Sequence, residues 1–149
     1  MTFTQTLTKV VVVDQDQTMT DILENVLETQ CFSIYTVDSN IRSVKAVDSI
    51  DPEVIVIDIV SQNEDGLSLC TAIRSHTNVP ILALSSVCKP GFIEQMLNAG
   101  ADECLIKPVS INLLVAHLKT LARRSREEKR AGNRLGRDKT YRDPCHYLS

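Results

Sequence analysis

Two short runs, KVVVVD (residues 9–14) and VIVID (residues 54–58), are apolar and β-branched without a break and close on a carboxylate. A strand that is apolar on both faces has no solvent side, so it belongs inside a parallel sheet covered by helices above and below. The intervening segments have helical periodicity. Met19, Ile22, Leu23, Val26 and Leu27 recur along TMTDILENVLET, with Thr18 or the residues just before it as a cap. FSIYTV (residues 32–37) returns to strand composition, and Ile41, Val44, Val47 and Ile50 then mark a second helix that stops at Asp51-Pro52. After the polar loop IVSQNEDG, residues 67–74 are helical through Leu67, Cys70 and Ile73, and PILAL (80–84) is a strand. Residues 91–99 form a helix through Phe92, Met96 and Leu97 with Gly100 just past its end, and residues 104–106 are the last strand. A final helix runs from about Ser110 to near Arg130, its apolar positions being Leu113, Leu114, Val115, Leu118 and Leu121. Five such units specify a doubly wound α/β fold with a parallel sheet and right-handed crossovers.

At 149 residues the chain has room for one hydrophobic core, and 43% hydrophobic with 23% charged residues excludes a disordered or fibrous protein. Its five cysteines are odd in number, scattered and never in C-x-x-C spacing, which argues for reduced thiols over a disulfide framework or a zinc site. The start lacks the features of a signal peptide, and no window is apolar enough to span a membrane, so a cytoplasmic chain without a membrane partner is expected. The net charge of -3 conceals two regions: residues 1–118 carry six Lys/Arg against fifteen Asp/Glu, and residues 119–149 carry ten against four. The acidic body and basic end are separate.

In doubly wound sheets ligands bind beyond the carboxyl ends of the strands, which here present Asp14, Gln15, Asp16, Asp58, Ser85 and Lys107. Such oxygens suit a hard divalent cation such as Mg²⁺, completed by waters and a phosphoryl group. Two carboxylates at about 4 Å repel by roughly 4 kcal/mol at an effective dielectric of 20, so their proximity calls for a cation or a lysine such as Lys107. A lone strand-end Asp is more simply a helix cap; four such features together are not. The chain contains no G-x-x-x-x-G-K-[ST], G-x-G-x-x-G or G-x-S-x-G, so nucleotide hydrolysis, dinucleotide binding and serine hydrolase chemistry lack support.

KVVVVDQDQ, PEVIVIDIVSQNEDG, PILALSS and GADECLIKP, spread over about residues 8–124, resemble the receiver domain of a two-component response regulator, of the CheY-like type. The resemblance implies a flavodoxin-like five-stranded sheet of order 2-1-3-4-5 with five helices. It makes Asp58 the phosphoacceptor, Ser85 the switch hydroxyl, Lys107 the conserved lysine followed by a cis Pro108, and Gly66 the loop glycine. Asp14, Asp58 and the carbonyl of Val60 would hold Mg²⁺, and a histidine kinase would be the phosphodonor. The implied function is acceptance of a phosphoryl group on Asp58 and switching of a partner or output domain in transcription regulation, the domain being a phosphoacceptor and not an enzyme. A small Mg²⁺-dependent phosphatase would need an acid two residues after its nucleophile, and Val60 stands there.

The chain departs from the pattern at Gln15, where a second acidic metal ligand is usual; an amide oxygen binds a hard cation with one charge fewer, so weaker Mg²⁺ binding is expected. Asp16 is the neighbouring carboxylate, and Gln62 replaces a common loop proline. Cys104 replaces the aromatic switch residue. These changes motivate an alternative, a pseudo-receiver that acts by phosphorylation-independent protein contacts. The last helix is similar to that of OmpR/PhoB-type regulators, which implies a homodimer through the fourth helix, fifth strand and fifth helix. Asp102, Glu103, Lys119 and Arg123 would form its charged rim, with His117 in place of an arginine. Residues 1–124 are read as the receiver and residues 125–149 as a basic linker or tail, with the output domain, and hence DNA binding, outside this chain. The run from Arg123 to Arg130 is interspersed with Glu127 and Glu128 and lacks aromatic residues, so it reads as a solvated helix end. Cys88, Cys145-His146 and His76 read as loop, tail and surface residues.

Overall fold

A computed structural model of the chain describes residues 7–14, 17–38, 42–60 and 65–135. Strands and helices alternate throughout: β1 (Thr8–Asp14), α1 (Gln17–Glu28), β2 (Phe32–Asp38), α2 (Arg42–Ile50), β3 (Val54–Ile59), α3 (Asp65–His76), β4 (Ile81–Ser85), α4 (Phe92–Ala99), β5 (Glu103–Ile106) and α5 (Ile111–Leu135). The five strands form one parallel sheet in the order β2-β1-β3-β4-β5. This is the expected architecture, and it leaves the two carboxylate-ended strands, β1 and β3, side by side in the interior.

The period of two along each central strand divides the interior into two cores. Val11, Val13, Ile55, Ile57, Ile81 and Ala83 face α2, α3 and α4, where Val47, Cys70, Ile73 and Met96 meet them. Val10, Val12, Val54, Val56, Leu82 and Leu84 face α1 and α5, packing on Leu23, Leu27, Leu114, Leu118 and Leu121. Continuous apolar runs are thus required because both faces of the strand are covered.

Three local devices set element ends. The second helix stops at Asp51, which adopts a positive φ of 55° before Pro52. Gly100 closes α4 with φ 121°, and a Cβ there would lie 2.7 Å from Arg74 Cβ, so that corner has room only for hydrogen. Ser110 caps α5, its hydroxyl accepting a hydrogen bond from the Leu113 N–H at 3.2 Å.

Two features differ from the sequence expectation. Leu113 is 47% exposed, because the stripe of α5 that meets the sheet is Leu114, Val115, Leu118, Leu121 and Ala122. The second is small: α5 continues a few residues past the expected end near Arg130 and reaches Leu135, a rod about 37 Å long at 1.5 Å per residue. Its charged continuation is docked on the body. Arg126 pairs with Glu53 at 2.6 Å and donates to the Thr8 hydroxyl at 2.7 Å, and Lys129 lies 3.6 Å from Asp51. Among the described residues, no helix is long and apolar enough to cross a membrane.

Candidate functional site

Asp58 is the next-to-last residue of β3, where a polar side chain follows four buried apolar residues. Its side chain is fully buried, and Oδ1 forms an ion pair with Lys107 Nζ. Burying a carboxylate is tolerable when a fixed cation meets it, and the lysine, itself 16% exposed, provides that charge. The backbone holds the pair in place. The Lys107 N–H donates to the Ser85 carbonyl at 2.8 Å, and the Ser86 N–H donates to the Ile59 carbonyl at 2.9 Å. These two bonds tie the ends of β3, β4 and β5 together at one edge of the sheet. The Lys107-Pro108 peptide is cis.

Ser85 lies opposite Ile59 in the register and is buried. Its hydroxyl donates to the Val87 carbonyl at 3.0 Å and accepts from the Val87 N–H at 2.9 Å, so it is engaged with its own loop and makes no bond to Asp58. Asp14 ends β1, and the register Val13↔Ile57 puts Asp14 and Asp58 at the same level on neighbouring strands. The Asp14 side chain and all of Gln15, Asp16 and Gln62 lie outside the described residues. Val60 follows β3 directly and is 43% exposed. No group of three or more His, Cys, Asp and Glu suited to a metal occurs among the described residues. The residues that the backbone brings to this edge, Asp58 with Asp14 at its level and Val60 next to β3, carry oxygens of the hard kind that Mg²⁺ takes.

Cys104 is half-buried in β5 and packs against the core on the α3 and α4 side, and burial raises its thiol pKa. Nearby Cys70 is pushed up to about 11 by burial, against the opposing pull of Arg74, with Asp102 and Cys104 adding to the rise. Cys88 is exposed in the loop after β4 and His76 is exposed at the end of α3, while Cys145 and His146 lie outside the described residues.

The expected dimer rim needs correction at Asp102. Its side chain is 1% exposed and its carboxylate is used within the chain, accepting from Arg74 at 2.7 Å and from the Ile81 N–H at 2.8 Å, with Arg124 at 3.8 Å. It therefore fastens α3, β4 and α5 together. Arg74, which also donates to the carbonyls of Gly100 and Thr77, was not singled out by sequence reasoning. Its partner is 28 residues away, and only the fold brings them together. Glu103 is likewise occupied, lying 2.5 Å from His117 Nδ1. Lys119 and Arg123 are exposed and make no ion pair among the described residues.

Comparison with known proteins agrees with this fold. The family described as the response regulator receiver domain matches residues 10–119. The chain is 33% identical over 129 residues to the response regulator protein GraR of Staphylococcus haemolyticus, covering 84% of this chain and 58% of that protein. It is 28% identical to the transcriptional regulatory protein KdpE of Staphylococcus aureus, over 77% of this chain and 50% of that one. The chain thus spans about half the length of the curated relatives it matches. Among solved structures, a two-component response regulator from Clostridium difficile superposes with a TM-score of 0.71 at 30% identity, over 78% of this chain and 97% of that one. The chemotaxis protein CheY4 of Vibrio cholerae, at 21% identity and a TM-score of 0.68, covers 77% of this chain and 98% of its own and shares the fold.

Proposed function

The chain belongs to the response regulator receiver domain family, and from that premise we propose that Asp58 is its phosphoacceptor, taking a phosphoryl group from a phosphohistidine of a histidine kinase and switching a partner or output domain in transcription regulation. The observation that carries this reading is the ion pair between fully buried Asp58 and Lys107 at the carboxyl edge of the sheet.

In the reaction an Asp58 carboxylate oxygen forms a bond to phosphorus as the bond to the donor imidazole nitrogen breaks, and that nitrogen keeps the electron pair. The product is an acyl phosphate. Lys107 neutralises charge on the phosphoryl oxygens, and burial of Asp58 limits access of water. Mg²⁺, held by Asp14, Asp58, the Val60 carbonyl and the neutral amide of Gln15, would supply further charge neutralisation on the same oxygens, with the lost carboxylate at position 15 weakening its hold. To meet the phosphoryl group, the Ser85 hydroxyl exchanges its bonds to Val87 for one to a phosphoryl oxygen. Cys104 has no ring to swing in response, so the packing change passes through the β4–α4 loop and Ser85.

The test is intact mass after incubation with a small-molecule phosphodonor, with and without Mg²⁺. Wild type should gain one phosphoryl group and Asp58→Ala none; Gln15→Asp should react faster. A wild-type chain that stays unmodified under conditions that modify Gln15→Asp would overturn the reading and favour a phosphate-independent interaction module, which family membership does not favour. The proposed receiver comprises residues 1–124 together with the docked part of α5, acts in the cytoplasm, and reaches DNA only through an output domain. Self-association through α4, β5 and α5 would rest on exposed Ile93 and Leu113, since Asp102, Glu103 and His117 are engaged within the chain.

A further inference from the structure

The end of the sheet opposite Asp58 holds a cavity of about 260 Å³, between the turn that leads from α3 into β4 and the charged continuation of α5. Every lining residue except Val79 is polar. Ser125 is 4% exposed, and its hydroxyl has no hydrogen-bond partner among the described residues. The Thr120 hydroxyl, on the same helix but outside the cavity, is by contrast spent on the Ala116 carbonyl. A buried hydroxyl costs free energy unless a guest or a water meets it. Arg74 gives one N–H each from Nε, Nη1 and Nη2 to Gly100, Thr77 and Asp102, which leaves two of its five N–H groups unspent. Beside these donors Lys129 and Asp51 face each other at 3.6 Å, and Glu128 adds a second carboxylate. Helix α3 ends on the same cavity at Ser75 and His76, where a helix presents carbonyls without intrahelical partners and the negative end of its dipole.

We propose that this cavity binds a free α-amino acid with an uncharged polar side chain, its carboxylate accepting from Ser125 and Arg74 beside Lys129 and its ammonium group donating to Asp51 and the terminal carbonyls of α3. The mixture of charges selects a zwitterion. A phosphorylated ligand drawn to Lys129 would also meet Asp51, Glu128 and the Asp102 carboxylate that holds Arg74, and a polyamine drawn to the acids would meet Arg74 and Lys129. An apolar molecule finds only Val79. The size agrees, since the cavity lies below the range of about 300–1,000 Å³ taken by drug-sized ligands. The Thr77 hydroxyl accepts from the Val79 N–H at 3.2 Å and keeps its own proton to donate, which suits the side-chain oxygen of an amide or alcohol. Ser125 and Lys129 belong to α5 and Arg74 to α3, so a bound amino acid ties the continuation of α5 to the body at the edge remote from Asp58.

The test is calorimetric titration of the full chain with L-glutamine, L-asparagine, L-threonine and L-serine, one at a time, followed by amide NMR shifts with the one that binds most tightly. At least one should bind with a Kd of about 1 mM or tighter. Acetate and methylamine, each carrying one half of the zwitterion, should bind at least tenfold more weakly. The shifts should gather at Ser75, Thr77, Val79 and Ser125 and leave Ile59, Ser86 and Lys107 unmoved. Ser125→Leu, which fills the cavity, should abolish binding. If that chain loses its circular dichroism spectrum, Ser125→Ala and Lys129→Gln take its place, each expected to weaken binding at least threefold. Four results would overturn the proposal: none of the four amino acids binding, acetate or inorganic phosphate binding as tightly as the amino acid, which would leave an adventitious ion only, binding indifferent to these substitutions, or shifts that gather at the phosphoacceptor edge.

Discussion

Asp102 and Cys70 show how the same few ångströms of interior act on two chemistries. The Asp102 carboxylate is buried but meets a guanidinium and a main-chain N–H. Asp102→Ala would leave Arg74 and the Ile81 N–H without their acceptor, and chemical denaturation should show a loss of about 3 kcal/mol. At Cys70 burial outweighs the pull of the same guanidinium and pushes the thiol up to about 11. The unfolded thiol ionises near its ordinary value of 9.0 while the folded one keeps its proton, so the stabilisation is present below pH 9 and is lost as pH rises towards 11. The denaturation midpoint should fall over that window, and Cys70→Ala should flatten the fall. At pH 8 a thiol-directed reagent should modify exposed Cys88 well before Cys70, read by peptide mass. The sequence shows that these thiols exist; their protonation is a property of what surrounds them.

At the scale of elements, the apolar periodicity located every strand and helix and carried α5 to near Arg130, but it misjudged which way Leu113 points. Helix ends and faces that are decided by long-range partners leave no local pattern, and Arg126 is 118 residues from the Thr8 hydroxyl it meets. A chain ending at residue 124 should therefore be less stable than one ending at residue 135, by about 1–2 kcal/mol in urea, since exposed pairs contribute at most about 1 kcal/mol each. Gly100→Ala should be costlier than a helix-end change elsewhere. Its φ of 121° and the 2.7 Å approach of Arg74 Cβ to the new methyl place the loss at about 2 kcal/mol or more, measurable in the same titration.

For the whole molecule, the two cores share the sheet between them, so neither can melt while the other keeps its backing. Leu118→Ala in one and Ile73→Ala in the other, both fully buried, should each lower the global midpoint by the equivalent of about 2–5 kcal/mol, with fluorescence-independent probes such as circular dichroism still showing one transition. The alternation of β-branched runs with amphipathic segments by itself determined the doubly wound fold, and strand-end residues by themselves named Asp58, Ser85 and Lys107, because solvent exclusion and local periodicity act on neighbours in the chain. Only the tertiary structure decided that Lys107 meets Asp58, that Ser85 is held by Val87 and that Asp102 is an internal clasp. Those outcomes depend on which distant side chains compete for the same partner, and that competition exists only once the chain has folded.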